Sequence, residues 1–172
     1  MKRARLFLFC LSASLSACAP PVEERSAPPP SSAEPSFYRS LARAGAAVDQ
    51  NAARDMISQY RRNNGLGALA LDDRLSAAAQ RLADEMASRS AVVPQSALNL
   101  ERRLEAAGVQ TKSGAANVSA GYQTLAEAFS GWRQSPPHNA RMLAAGARRM
   151  GLATAYAKKG KYRVYWALLL AD

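Results

Sequence analysis

A mixed α+β fold, a three-layer α-β-α sandwich around one central antiparallel sheet, is predicted by three features of this 172-residue chain. Helical periodicity fills its middle, from about residue 48 to residue 107. Strand-like sequence closes it, in two runs joined by Lys158-Lys159-Gly160-Lys161. The second run is apolar on both faces, with Val164, Trp166, Leu168 and Leu170 alternating with Tyr165, Ala167 and Leu169. Such a strand belongs in the middle of a sheet and needs cover on both sides. Helices above and below the sheet supply that cover.

The elements follow in order. Lys2, Arg3 and Arg5 precede the apolar run Leu6 to Leu11 and a stretch of small residues. That pattern reads as a secretory leader over residues 1–17, too short for the ~20 residues a membrane-spanning helix needs. Leu15-Ser16-Ala17-Cys18 then resembles the bacterial lipobox. The resemblance implies that Cys18 becomes the mature N-terminus, with acyl groups (palmitate among them) on its sulfur and its amine. Two chains anchor a protein stably where one does not. Residues 18–45 read as a tether rich in proline, with Pro20, Pro21, Pro28, Pro29, Pro30 and Pro35 among Ser, Ala and Glu. Ala19, where an aspartate would signal retention, resembles the outer-membrane sorting pattern. The expectation is an exported protein, lipid-anchored in the cell envelope on the outer membrane and facing the periplasm. The folded domain is expected over residues 46–172.

Composition bounds the chemistry. Cys10 leaves with the leader and Cys18 carries lipid, so the mature domain has neither a thiol nor a disulfide. The formal charge is +10, of which Lys2, Arg3 and Arg5 leave with the leader. The remaining surplus suits anionic lipid headgroups or an acidic wall polymer, or simply keeps Arg-rich helix faces soluble. Nucleic acid is not an expected partner in that compartment, and a monomer is expected.

Within the domain, Val48, Ala52, Ile57 and Tyr60 lie on one helical face, with Arg54, Asp55, Arg61 and Arg62 elsewhere. Asn63-Asn64-Gly65 stops that helix. Asp72 or Asp73 caps the next, whose buried stripe is Leu75, Ala79, Leu82 and Met86. Leu100 to Ala107 forms a short third helix closed by Gly108. Residues 109–116 read as a loop, and Asn117 to Ala120 as a short strand. Tyr122, Leu125, Phe129 and Trp132 mark the core face of a fourth helix. Ser135 caps a further turn through its hydroxyl, with Pro136 in the first helical position. Met150 to Ala157 and Tyr162 to Ala171 form the closing hairpin.

Taken in this order, several segments resemble the CAP superfamily, the cysteine-rich secretory, antigen 5 and pathogenesis-related proteins, in bacterial form. Ser58-Gln59-Tyr60-Arg61, Gly65-Leu66 and Leu69 are similar to that family's Asn-x-x-Arg, Gly-Leu and following Leu. Leu75, Ala79-Gln80, Ala83 and Met86 are similar to its second helix, and Arg103-Leu104-x-x-Ala107-Gly108 to its Arg-Leu-x-x-Ala-Gly. Gly131-Trp132-Arg133-Gln134-Ser135-Pro136-Pro137-His138 resembles its Gly-Trp-x-x-Ser-Pro-x-His, and Gly151-Leu152-Ala153 its hairpin. The resemblance runs from about Asn51 to the end of the chain and implies an α-β-α sandwich.

It also implies a place for chemistry, which the residues here largely vacate. Family members with an intact cavity set two histidines and two acids in it, enough for a divalent metal or an acid/base pair. Here the resemblance puts Pro94 near the first histidine, Ala116 (beside Asn117) at the acid of Gly-Glu-Asn-Ile, and Ser135 at the other acid. His138, the chain's one histidine, remains. One imidazole does not hold zinc, and Glu101, Glu105 and Glu127 read as solvated helix positions. No serine stands in a Gly-x-Ser-x-Gly elbow. Neither a metal nor another cofactor is therefore expected. The candidate cavity-lining set is His138, Asn117, Ala116, Ser135 and Trp132. His138 alone is a catalytic candidate, and it also reads as a hydrogen-bonded corner residue. The resulting expectation is a non-catalytic binding module for an amphiphile or a wall component. The alternatives are a metal-assisted hydrolase or peptidase acting through His138, and a structural envelope protein docking on anionic partners.

Overall fold

A computed structural model describes residues 34–172. The leader over residues 1–17, Cys18 and the tether up to residue 33 lie outside the described residues. The described elements are five α-helices and one four-stranded sheet, with two short 3-10 turns.

Helix α1 spans Gln50–Asn63 and starts at Asp49, whose carboxylate accepts the Ala52 N–H. It ends in the Asn63-Asn64-Gly65 signal, with Gly65 at a φ of +74° that glycine adopts without strain. Its buried face is Ala53, Ile57, Ser58 and Arg61. That corrects the expectation that Arg61 lies off the buried face: its guanidinium is fully buried. Strand β1, Ala70–Leu71, was not anticipated; two residues carry no period.

Helix α2 spans Asp73–Arg89, and Asp72 is its cap through a bond from the Leu75 N–H. Leu75, Ala78, Ala79, Leu82, Ala83 and Met86 are buried. Burying each Leu or Met contributes roughly 1.5–3 kcal/mol, while the alanines bring the helix close to the sheet. The closest approach is at Gly151, where a Cβ would stand 2.2 Å from the Leu75 carbonyl carbon and the Ser76 nitrogen. Helix α3 spans Leu100–Ala106 and closes at Gly108 with φ +68°.

Strand β2 spans Gly114–Ala120, three residues earlier than expected. Gly-Ala-Ala has weak strand propensity, but those residues pair with Leu169, Leu170 and Ala171, and the neighbouring strand supplies the ladder. Helix α4 (Leu125–Gln134) opens with a capping box between Thr124 and Glu127. Helix α5 spans Pro136–Met142. Ser135 precedes it, but its side chain makes no capping bond. Its backbone carbonyl accepts the Asn139 N–H instead, and Pro137, second in the helix, removes one of the donors that a capping hydroxyl meets. Strands β3 (Arg149–Tyr156) and β4 (Val164–Ala171) close the chain.

The strand order is β1-β3-β4-β2. Both pairings of β4 are antiparallel, and the two-residue β1 runs parallel to β3. β4 is buried along its whole length. One core lies between the sheet and α2 and α3, with Ala116, Val118, Ala153 and Tyr165 facing it. The other lies under α1, α4 and α5, with Trp132, Met142, Leu152 and Trp166. These are the three layers expected of the fold.

Residues 36–45, which the sequence groups with the tether, pack on this domain. Ser36–Tyr38 make a 3-10 turn, Leu41 is buried, and its N–H donates to the Gln123 carbonyl at 2.7 Å. Phe37, Leu41 and Ala42 cover the edge of the second core, a role that polar, proline-rich composition around them conceals.

Candidate functional site

The candidate residues converge on the corner where α5 meets β2. Side chains alternate along β2. Ala116 and Val118 face the α2 core. Asn117 and Ser119 point the other way, as their partners show: Asn117 Nδ2 donates to the His138 carbonyl at 3.0 Å, and Ser119 Oγ accepts the Trp132 indole N–H at 3.0 Å. Ala116, at the acid position the resemblance implied, therefore does not share a face with Asn117 and His138. Val93, beside Pro94, also belongs to the α2 core. The expected set splits across the sheet.

Three polar contacts pin α5. Asn117 holds the carbonyl of its first turn. Tyr60 Oη on α1 donates to Asn139 Oδ1 at 2.9 Å, and the Tyr60 ring meets Phe129 edge-on at 5.5 Å. Arg61, one residue on, holds the far end. Its Nη1 donates to the Met142 and Ala144 carbonyls, its Nη2 to Ala147 and its Nε to Gly67, each at 2.9 Å. Burial lowers the guanidinium's pKa below its ordinary value. Sequence reading missed this clamp because it scored Arg61 as polar; the signal was its position, four residues after Ile57 and eight after Ala53.

His138 is half-buried. Burial, and then the nearby Arg141 charge, lower its pKa below 6.5. The imidazole is thus neutral around pH 7 and able to accept a proton, as a general base must. Among the described residues no acid pairs with it. Asn117 bonds the backbone of His138, and its Oδ1 is buried without a partner. Trp132 is fully buried, edge-on to Trp166 at 6.0 Å, so both rings are core rather than groove lining. The Trp166 indole N–H donates to the Tyr122 carbonyl at 2.9 Å. These residues do not fit a divalent ion. One imidazole, an apolar residue on the opposite face and an amide are too few donors. Among the described residues no three His, Cys, Asp or Glu side chains are grouped for one.

Residues 54–170, well over half of the chain, match the CAP family, described as the cysteine-rich secretory protein family. The chain belongs to that family. No curated protein matches it. Solved structures repeat the fold at low identity. An extracellular SCP-domain protein of Bacillus anthracis str. Ames superposes with TM-score 0.60 at 18% identity, covering 71% of this chain and 39% of its own. A cysteine-rich secretory protein of Staphylococcus aureus subsp. aureus Mu50 gives 0.57 at 21%, covering 71% and 37%. This chain thus spans less than two thirds of both proteins. An outer surface protein of Borrelia burgdorferi gives 0.61 at 16%, covering 74% and 98%.

Proposed function

We propose that this protein is an envelope-anchored CAP domain that works by binding rather than by catalysis, with an amphiphile or a wall component as its ligand. The observation that carries this reading is the use of Asn117. Its side-chain amide on β2 bonds the backbone carbonyl of His138 rather than the imidazole. With Ala116 turned into the other core, the corner is a structural joint. Export and lipid anchoring at Cys18 rest on the leader and the Leu-Ser-Ala-Cys sequence. The outer surface and extracellular relatives are consistent with that address.

Two measurements test the reading. Labelled palmitate should enter the wild-type chain and not Cys18→Ser; equal labelling would remove the anchor from it. His138→Ala should bind a lipid extract as the wild type does. Hydrolysis of peptide or wall polymer that disappears in His138→Ala would replace binding with catalysis.

A further inference from the structure

The loop between β3 and β4 carries Lys158, Lys159, Lys161 and Arg163 within six residues. All four are exposed. The ion pairs of the described residues are Arg54–Asp55, Arg89–Glu85, Arg103–Glu85 and Arg149–Asp72, and none involves this loop. The nearby carboxylates are few. Glu85 is held by Arg89 and Arg103. Asp84 lines a depression shared with Lys158, Lys159, Ser88 and Ser90, and it accepts a bond from Gln80.

The loop is held in place rather than free. Ser90, at the end of α2, donates through Oγ to the Lys159 carbonyl at 3.4 Å. Gly160, at φ +96°, lies so close that a Cβ there would stand 2.8 Å from Ser90. Arg163 donates to the Ala157 and Lys158 carbonyls, and the Lys161 ammonium lies 5.2 Å from the Tyr162 ring centre. Four cations are thus presented on a fixed platform.

Its position gives the partner. The base of the hairpin meets residues 121–123: the Gly121 N–H donates to the Val164 carbonyl at 3.0 Å, and Tyr162 packs on Gly121. Gln123, two residues on, receives the Leu41 N–H at 2.7 Å. The N-terminal strap therefore joins the domain at the same end of the sheet as the basic loop. We propose that this loop docks on the anionic headgroups of the bilayer to which the strap leads. The proposal rests on the lipid-anchored reading, because tethering raises the effective concentration of the surface and makes a small patch sufficient.

The test uses the full chain with Cys18→Ser, so that no acyl chain contributes. Its partition onto anionic phosphatidylglycerol vesicles is compared with neutral phosphatidylcholine vesicles, with and without Lys158→Gln, Lys159→Gln and Lys161→Gln together. The leader is the same in both chains, so their ratio reads the loop. Arg163 is left in place because it bonds the loop backbone. Loss of the three lysines should lower partition onto the anionic vesicles by about a hundredfold, roughly fivefold for each. The effect should shrink as salt rises. Equal partition of the two chains overturns the proposal. So does a lysine-dependent affinity for a soluble acidic polymer with none for vesicles, which would assign the loop to wall polymer. Absence of palmitate on wild-type Cys18 would sink the anchor while leaving this ratio readable.

Discussion

Arg61 shows how a single side chain builds the corner. Four carbonyls, one from Gly67 and three from residues 142–147, converge on one guanidinium, and among the described residues no carboxylate shares it. Arg61→Ala leaves those acceptors buried and unpaired, so urea unfolding should show a loss of at least about 3 kcal/mol, at 1–3 kcal/mol for each buried group left unsatisfied. Lysine keeps the charge but not the fork, and Arg61→Lys should recover only part of that loss. The order at the joint is the sharper prediction. Asn117→Ala should cost about 1 kcal/mol, for one hydrogen bond lost. His138→Ala should cost less, because the contact it makes is through its backbone. A larger loss in His138→Ala would show that the imbalance lies in the ring. The His138 pKa also has a direction. The folded value lies below 6.5, so the unfolded chain takes up the proton first as pH falls. Stability is therefore full above about pH 6.5 and declines as pH drops from there through the folded value. Unfolding midpoints of the wild type should fall over that window, and His138→Gln should flatten the fall.

At the scale of elements, Gly151 and Gly131 differ in what a methyl group would meet. At Gly151 the obstacle is the α2 backbone at 2.2 Å. Gly151→Ala must push the helix off the sheet and should cost 3 kcal/mol or more, about the upper end of overpacking. At Gly131 the obstacle is the Tyr122 side-chain hydroxyl at 2.0 Å, which can swing aside. Gly131→Ala should cost roughly 1–2 kcal/mol. Equal thermal shifts in the two variants would contradict this. What the sequence revealed follows the same physics. α2, α4 and β4 were legible because a repeating apolar face or a doubly apolar run specifies them. The start of β2 was not, since Gly114 to Ala116 are strand only through pairing with β4. Leu41 was hidden in the strap because burial there is tertiary. At the candidate site His138 and Asn117 were found, but their relation was not. A spacing places two residues near each other without saying that an amide will bond a backbone carbonyl. Nor did the motif show that Ala116 faces the other layer.

For the molecule as a whole, two cores on either face of β4 make one α-β-α domain, and that architecture leaves α5 as a joint between α1 and the sheet. Among the described residues no helix is long and apolar enough to cross a membrane; the proposed anchor at Cys18 and the proposed docking of the basic loop are the two routes to a membrane that the account offers. On the proposed reading the domain offers surfaces rather than a reaction centre. The most direct measurement of that claim is the release of fragments from purified wall polymer by the full chain, with and without added zinc, beside His138→Ala. The expected rate is that of buffer alone in every case. A zinc-stimulated rate that vanishes in His138→Ala would mean that the corner is an active site.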